Sequence, residues 1–401
     1  MANKKKKKWM RPRHRLVRNV LNATLGIYTR IKYGIKVKRF TEQQTRPYLV
    51  LYNHQTTFDQ FFIGMAFKGS VYYLASEDLF SNGWVSSLIR YLVAPIPIKK
   101  HTTDVRAILN CIQVAKEGGT IAIAPEGNRT YSGRTEHMSA TIAPLARKLG
   151  LPIALFRIEG GYGVNPRWSN DVRRGKMTAR VSEVISPEEY AAMTDDELFA
   201  RIKDGLYVNE AQVTGEFLTK HGAEYLERAI YVCPECGFSH LESSGDVFLC
   251  KKCGKSSRYT KTKELVGDFP FRFVLDWYDY QSDFVNSFDP MAHTDAPIYT
   301  DTVSLFEAIP YTKKQLISEG VTLSLFGDRI EIVYGEERLN VPFAELSGAA
   351  VLGRNKLNLH YNGKTYQFKG GKRFCALKYV QLYHRYDNVR KGENHGKFLG
   401  L

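Results

Sequence analysis

Two short apolar segments of the chain each end in a cluster of polar side chains, and this arrangement limits the folds that the chain can adopt. Residues 48–53 read Tyr-Leu-Val-Leu-Tyr-Asn, and residues 120–124 read Thr-Ile-Ala-Ile-Ala. Apolar runs of this length predict buried strands. Strand-like and helix-like segments alternate between residues 48 and 185, which predicts an α/β sheet with flanking helices. Each polar cluster therefore lies at a strand end.

The first polar cluster runs from Asn53 to Asp59 and includes His54. A turn between the strand and the helix-like run at 61–67 would allow Asp59 to meet His54, although residues five apart do not share one face of a straight helix. Asp59 would then orient the imidazole, and His54 could act as a general base. The structural alternative makes Asp59 a helix N-cap and His54 a hydrogen-bonded core residue.

The second polar cluster is Pro125-Glu126-Gly127-Asn128-Arg129-Thr130. A glycine beside an arginine at a strand end suits an oxyanion, because the backbone can approach closely and a guanidinium can form two parallel hydrogen bonds with a phosphate. Taken alone, this segment is equally consistent with an ordinary turn.

The two clusters together, about 70 residues apart, resemble the motifs of the glycerolipid acyltransferase superfamily, which includes 1-acylglycerol-3-phosphate acyltransferases. The residues that match its two main motifs are Asn53, His54 and Asp59 in the first, and Glu126, Gly127, Arg129 and Thr130 in the second. Asn128 stands where the family usually has threonine, and Lys100 in the segment 96–100 stands where it usually has arginine. The segment 151–155 is similar to a later motif, and the resemblance covers residues 15–205.

The resemblance implies an acyl transfer in which His54, held by Asp59, removes a proton from a glycerol hydroxyl. That oxygen attacks the thioester of acyl-CoA or acyl carrier protein, without an acyl-enzyme and without a redox cofactor. Arg129 and Lys100 would hold the phosphate of a lysophospholipid acceptor, and Glu126 would be structural or would bind the acceptor hydroxyl. The substrate-binding set that it implies is Asn53, Lys100, Glu126, Gly127, Arg129 and Thr130.

Four of the six cysteines form two Cys-x-x-Cys pairs separated by 13 residues: Cys233, Cys236, Cys250 and Cys253. A glycine follows each pair and permits a tight turn, so the spacing predicts a zinc ribbon with four thiolate ligands and therefore a structural metal. Two disulfides are the alternative, and they fit poorly with a chain that shows no export signal. The intervening residues 237–249 contain no lysine or arginine, which argues against nucleic acid as a partner. Cys111 and Cys375 lie in apolar surroundings typical of core positions.

The positive charge of the chain is concentrated at its amino terminus. Residues 1–46 hold 15 Lys and Arg against one acid, Glu42, so this segment carries +14 of the net +16. The longest uncharged run after Arg18 has 11 residues, too few for a helix that spans a bilayer core of about 30 Å. An apolar stripe recurs at helical spacing through Val17, Val20, Leu21, Thr24, Leu25, Tyr28, Ile31 and Ile35. The pattern predicts a helix lying on an anionic membrane at its cytoplasmic face; the alternative is a helix packed on its own domain.

The remaining segments complete the predicted domain organisation. The divisions are a basic membrane-surface segment at 1–40, an acyltransferase domain at 41–230, a zinc ribbon at 231–258, an aromatic-rich connector at 259–300, a pleckstrin-homology-like β domain at 301–392 and a tail at 393–401. Period-two patterns and turn residues such as Asn362-Gly363, followed by one helix-like run, predict the small β barrel. Two other functions stay open: an acyltransferase for another lysolipid or an amino-lipid, and a non-catalytic zinc-ribbon adaptor.

Overall fold

The computed structural model describes residues 8–42, 47–98, 104–309, 312–393 and 399, and it divides the chain into two compact units. The first unit comprises Met1–Phe80, Trp84–Pro166 and Val172–Glu210, and the second comprises Ser81–Gly83, Arg167–Asp171 and Ala211–Leu401. The predicted fold class is confirmed: the structure contains an α/β sheet with helices, a four-cysteine cluster and a C-terminal β-rich sheet.

A mixed sheet of seven described strands forms the centre of the first unit. Its strands are β1 (Ile35–Val37), β2 (Leu49–Tyr52), β3 (Val71–Ser76), β4 (Ile96–Ile98), β5 (Thr120–Ile123), β6 (Ile153–Glu159) and β7 (Met177–Ile185). They lie in the order β1-β7-β6-β2-β5-β3-β4, and β2 to β6 are mutually parallel, whereas β7 runs antiparallel to β6. All residues of β2 and β5 are buried, as expected for central strands covered on both faces.

The helices of this unit cover both faces of the sheet. They are α1 (Pro12–Leu21), α2 (Ile27–Tyr33), α3 (Asp59–Ala66), α4 (Trp84–Val93), α5 (Val105–Lys116), α6 (Ile142–Leu149), α7 (Gly161–Val164), α8 (Pro187–Ala191) and α9 (Asp195–Leu206), with a π-helical turn at Asn22–Gly26 and a 3₁₀ turn at Glu77–Phe80. Parallel strands are joined by right-handed crossovers. The strand order therefore places α3 and α4 on one face and α5 and α6 on the other.

The N-terminal segment forms α1 and α2, and one of its faces packs on the first unit. His14 Nδ1 lies 3.0 Å from the Tyr72 hydroxyl, and Trp9 Nε1 donates to the carbonyl of Ala94 at 3.0 Å. Ile35 was predicted to lie on the helical stripe but is instead buried in β1, because the chain leaves α2 and pairs with β7. The opposite face of the helices exposes Leu16, Val20, Leu25, Ile27, Tyr28 and Ile31.

The second unit begins with short strands around the four cysteines and continues into a larger sheet. Its first elements are β8 (Val232–Cys233), β9 (Gly237–Phe238), β10 (Leu241–Ser244), β11 (Val247–Cys250), β12 (Ser256–Tyr259), β13 (Leu265–Gly267) and α10 (Val274–Ser287). The aromatic residues of the predicted connector pack here: the Trp277 ring stacks on Phe271 and contacts the tilted ring of Phe269, and its Nε1 donates to the carbonyl of Val232 at 2.8 Å.

The C-terminal sheet is antiparallel and curls into a half-barrel, with one terminal helix packed on it. Its elements are β14 (Tyr299–Glu307), β15 (Gln315–Leu325), β16 (Arg329–Tyr334), β17 (Glu337–Pro342), β18 (Gly348–Leu352), β19 (Lys356–Tyr361), β20 (Lys364–Gly370) and α11 (Leu377–Arg390), and short 3₁₀ turns lie at Leu226–Arg228, Pro290–Ala292 and Phe343–Glu345. The strand order is β17-β16-β15-β14-β20-β19-β18. Within the described part of the chain, no helix combines the length and apolar character that crossing a membrane requires.

Candidate active site

His54 and Asp59 meet at the carboxyl end of β2, as predicted from their spacing. The chain turns after β2 and enters α3 at Asp59, so that Nδ1 of His54 lies 2.8 Å from Oδ2 of Asp59. The Asp59 side chain is almost fully buried, whereas the His54 side chain is 28% exposed. A buried carboxylate thus holds one nitrogen of a partly exposed imidazole.

The Asp59 carboxylate is fixed by the turn that precedes its helix. The backbone N–H groups of Gln55 and Thr56 donate to Oδ2 and Oδ1 at 2.8 and 2.9 Å, and the Thr56 hydroxyl donates to Oδ1 at 2.7 Å. Asp59 is also the first residue of α3, where the helix dipole stabilises negative charge. These donors stabilise a carboxylate anion, and that anion in turn favours the imidazole tautomer that carries its hydrogen on Nδ1.

Glu126 connects the second motif with the first. Because β2 and β5 are neighbouring parallel strands, their carboxyl ends lie at the same edge of the sheet. The backbone N–H of His54 donates to Oε1 of Glu126 at 2.9 Å. Burial raises the pKa of Glu126 to about 8, the His54 N–H partly offsets this, and the negative charges of Asp59 and Glu136 add to the rise. The raised pKa favours the protonated form of Glu126, which also accepts the His54 N–H.

Arg129 is buried at the same edge, and its guanidinium donates to Asn165, the residue that follows α7 as its C-cap. Nη1 of Arg129 donates to Oδ1 of Asn165 at 3.1 Å and to its carbonyl oxygen at 3.5 Å. Gly127 precedes it with φ of +68° and donates its N–H to the Ala124 carbonyl at 3.0 Å.

Two predicted substrate-binding residues have their polar groups engaged by the main chain. The amide of Asn53 donates to the carbonyl of Ile158 and accepts its N–H, both at 2.8 Å, which ties the end of β2 to β6. The hydroxyl oxygen of Thr130 accepts the N–H groups of Ser132 and Gly133 at 3.2 and 3.0 Å. Both residues thus shape the site by holding its loops.

Lys100, which was predicted to bind the acceptor phosphate, lies outside the described residues. The sequence interpretation also missed Asn165, the partner of Arg129. The only local signal for it is the turn-forming sequence Gly160-Gly161 shortly before it, which does not identify a partner 36 residues away.

The four cysteines predicted to bind metal come together in the second unit. Their Sγ atoms all lie within 4.8 Å of one another, and those of Cys233 and Cys253 are 3.8 Å apart. Four sulfurs at about 2.3 Å from a tetrahedral zinc lie about 3.8 Å from each other, so the cluster has the size that such a metal requires. Gly237 and Gly254 adopt φ of +69° and +77°, the left-handed conformation that turns each pair back on itself.

Comparison with known proteins agrees with the two motifs. Residues 34–158 match the family model described as Acyltransferase. The chain is 24% identical over 137 residues to the 1-acyl-sn-glycerol-3-phosphate acyltransferase of Bacillus subtilis, which covers 34% of this chain and 65% of that protein. It is 22% identical over 153 residues to a chloroplastic 1-acyl-sn-glycerol-3-phosphate acyltransferase of Brassica napus, covering 37% and 44%. The chain thus spans less than two-thirds of the length of these relatives.

Among solved structures, the chain is similar to the 1-acyl-sn-glycerophosphate acyltransferase from Thermotoga maritima. The sequence identity is 23%, the TM-score is 0.41, and the similarity covers 49% of this chain and 80% of that one.

Proposed function

The chain contains a domain of the glycerolipid acyltransferase superfamily, and from this premise we propose that it transfers a fatty acyl group from acyl-CoA or acyl carrier protein to the free hydroxyl of 1-acylglycerol-3-phosphate. The observation that carries the proposal is the 2.8 Å contact between His54 Nδ1 and the buried Asp59 carboxylate. A histidine held in this way and partly exposed at a strand end is suited to take a proton from a bound hydroxyl.

In the proposed reaction, His54 keeps its hydrogen on Nδ1, and this N–H group donates a hydrogen bond to the Asp59 carboxylate. The basic lone pair is therefore on Nε2. Nε2 removes the proton from the acceptor hydroxyl while that oxygen forms a bond with the thioester carbonyl carbon. The carbon–sulfur bond then breaks, and the leaving thiolate takes the proton from Nε2. Asp59 stabilises the imidazolium that forms between these two proton transfers. The thioester is reactive enough for direct transfer, so the reaction needs no acyl-enzyme.

The acceptor phosphate is assigned to Arg129. The guanidinium lies at the edge of the sheet that also carries His54, and Asn165 restrains it, which lowers the entropy lost when an anion binds. Holding the phosphate there would place the glycerol hydroxyl against His54 and would convert an encounter between two molecules into a reaction within one complex. Glu126 supports this arrangement through the His54 backbone.

Zinc bound by the four cysteines is the second part of the proposal. A site in which four thiolates fill a tetrahedral metal has no position for substrate, so the metal supplies folding energy to the strands around it. The Ser239 hydroxyl lies 3.2 Å from the sulfur of Cys250 and would support that ligand as a hydrogen-bond donor.

A peripheral position on the cytoplasmic face of an anionic membrane is the third part. The acceptor is a lipid, so the site must reach the bilayer surface, and the +14 amino-terminal segment with exposed apolar side chains on α1 and α2 favours such a surface. The acyl thioester would then arrive from the aqueous side.

The proposal is tested by incubating the purified protein with labelled acyl-CoA or acyl carrier protein and a panel of acceptors. The panel contains 1-acylglycerol-3-phosphate, a lysolipid with a larger head group and an amino-lipid, and product is followed by thin-layer chromatography. We expect labelled phosphatidate. Transfer mainly to another acceptor would redirect the substrate assignment, and no transfer to any acceptor by folded protein would favour a non-catalytic adaptor.

A further inference from the structure

Helix α4 carries large apolar side chains on its solvent-facing side as well as on the side that faces the protein. Its exposed large residues are Trp84, Val85, Leu88 and Tyr91, and Trp84 is 76% exposed. On the opposite side Ser86 is buried and its hydroxyl donates to the Leu79 carbonyl at 2.7 Å, and Ile89 and Val93 are half-buried. A surface helix normally places polar residues toward water, so a solvent-facing side with four large apolar residues indicates an interaction surface.

The exposed face of α4 is continuous with that of the N-terminal helices. The guanidinium of Arg13 on α1 lies 4.0 Å from the centre of the Tyr91 ring, and its Nε donates to the Tyr91 carbonyl at 2.8 Å. Trp9 reaches the end of α4 through its bond with Ala94. The exposed apolar residues of α1, α2 and α4 thus belong to one layer on one face of the sheet.

The start of α4 and the end of α2 both reach the edge of the sheet that carries His54. Helix α4 returns the chain from the carboxyl end of β3 to the start of the parallel strand β4, so Trp84 begins at the carboxyl edge. At the end of α2, the Tyr33 ring contacts the rings of Phe58 and Phe62. Phe58 is the N-cap of α3, and Phe62 lies in its first turn, as Asp59 does. The exposed Trp84 and Ile31 therefore lie toward the edge where lipid would enter.

The charge of this layer identifies the kind of surface that it fits. Residues 8–41 contain no acidic side chain, and α4 carries Arg90 as its only charged residue. Tryptophan and tyrosine prefer the interfacial region of a bilayer, where the ring is apolar and the polar atom stays hydrated. Aromatic and aliphatic side chains flanked by arginines, without acids, match an anionic lipid surface.

We propose that α4 forms, together with α1 and α2, one membrane-docking surface, and that α4 inserts Trp84, Leu88 and Tyr91 into the interface of an anionic bilayer. This proposal rests on the proposed function, since the docked surface would bring the carboxyl edge of the sheet to the acceptor head group. The charge and periodicity of residues 1–40 indicate a membrane contact only for the N-terminal segment. The proposal adds α4 as a second contacting element.

The first test compares matched double variants for binding to vesicles of phosphatidylglycerol and phosphatidylcholine. Trp84→Gln/Leu88→Gln removes two apolar side chains from α4, and Val105→Gln/Leu109→Gln removes two from α5 on the opposite face of the sheet. Val105 and Leu109 are 60% and 58% exposed, so the control removes comparably accessible apolar side chains. We expect the α4 variant to partition about tenfold less onto vesicles, from the lost burial of apolar side chains. The α5 variant should bind like the parent protein.

The second test follows the fluorescence of Trp84 in a Trp9→Phe background, because Trp9 is half-buried beside the end of α4. Trp168 and Trp277 are fully buried, so lipids brominated on the acyl chain should quench mainly Trp84 in this protein, and a further Trp84→Phe substitution should remove most of the quenching. Equal binding by the two double variants, or vesicle-bound protein in which Trp84 is not quenched, would overturn the proposal and would assign the α4 face to a protein partner. Turnover of a soluble short-chain 1-acylglycerol-3-phosphate by the parent protein tests the proposed function separately, because that substrate requires no membrane.

Discussion

The backbone N–H of His54 donates to Oε1 of Glu126 at 2.9 Å, and this bond joins the ends of two neighbouring strands. The side chain of the same histidine is held by Asp59 from the turn that follows β2. The imidazole is therefore positioned from two directions, through its backbone by the second motif and through its ring by the first. The two motifs, although 72 residues apart, thus both position this histidine.

Replacing His54 by alanine should abolish nearly all acyl transfer. General-base catalysis contributes about 10²–10⁴-fold, and positioning of the hydroxyl is lost with it. Asp59→Asn should reduce kcat less, because the imidazole remains but loses its fixed tautomer. The measurement is kcat with a soluble acceptor, and His221→Ala, at an exposed histidine of the second unit, is the control. Near-parental turnover by folded His54→Ala protein would contradict the proposed mechanism.

Glu126 should make the stability of the fold fall as the pH rises. Its pKa is raised by burial to about 8 in the native protein, against an ordinary value of 4.5, so between these values the native state binds a proton that the unfolded state has released. The resulting stabilisation is fully present below pH 4.5 and is lost as the pH rises through about 8. Glu126→Gln removes this titration.

We therefore expect the melting temperature of Glu126→Gln protein to equal or exceed that of the parent at pH 9. As the pH is lowered toward 5, this advantage should shrink, because the free energy of unfolding of the parent rises by about 1.4 kcal/mol per pH unit while Glu126 takes up its proton. Glu188→Gln, at an exposed glutamate of the same unit, is the control. Parallel pH profiles for parent and Glu126→Gln would show that this carboxyl is ionised in the native protein.

Arg129→Lys should raise the KM for the acceptor more than the KM for the acyl thioester. Lysine keeps the charge but loses the planar fork, and a hydrogen bond to a charged group contributes about 1.5–3 kcal/mol, which corresponds to a tenfold or larger rise. Arg180→Lys, at a half-exposed arginine paired with Glu159, is the control. Equal increases for both substrates would mean that Arg129 has only a structural role.

Local features of the site and of the C-terminal sheet could be predicted because the residues involved are close in sequence. His54 and Asp59 are five residues apart, and the turn that joins them is set by the intervening backbone. Asn362 and Gly363 both adopt positive φ, as a two-residue hairpin turn between β19 and β20 requires. The sulfur cluster likewise follows from two short knuckles that each fix their own pair.

Features set by long-range packing could not be predicted in the same way. Asn165 reaches Arg129 only because α7 follows β6 at the edge of the sheet. The apolar pattern of α4 does not indicate which of its sides is exposed, and here Ser86 is on the buried side, bonded to the Leu79 carbonyl, whereas Trp84 is on the exposed side. Ile35 continues the helical spacing, yet pairing with β7 takes it into a strand. In each case, tertiary contacts decide between local alternatives.

Replacing Cys233 or Cys250 by serine should release bound zinc and lower the melting temperature. Each substitution removes one of the four thiolates that come together between the short strands β8 to β13, so the metal would lose a ligand and these strands would lose the link that it provides. Metal analysis of protein prepared without chelator should give one zinc per chain, and Cys111→Ala, at a buried core cysteine, should retain it. Parent protein that contains no zinc would contradict the assignment.

Neutralising the lysines at positions 4–8 should weaken vesicle binding and reduce its dependence on salt. Lys4 to Arg18 includes nine basic residues, and each one near an anionic surface contributes about 1 kcal/mol. Substitution is preferable to removal of residues 1–36, because that removal would also delete the contacts of His14 with Tyr72 and of Tyr33 with Phe58 and Phe62. Replacing the five lysines by glutamine should weaken binding at least about tenfold at low ionic strength.

The matched control replaces five exposed lysines elsewhere in the chain: Lys116, Lys148, Lys176, Lys203 and Lys220. It changes the net charge by the same amount and should retain most of the binding. The Debye length falls from about 10 Å at 0.1 M salt to about 3 Å at 1 M, so salt should weaken the parent and the control but leave the binding through exposed apolar side chains of α1, α2 and α4. Equal binding by the two variants at low salt would show that net charge, and not a basic N-terminal anchor, attracts the protein to the membrane.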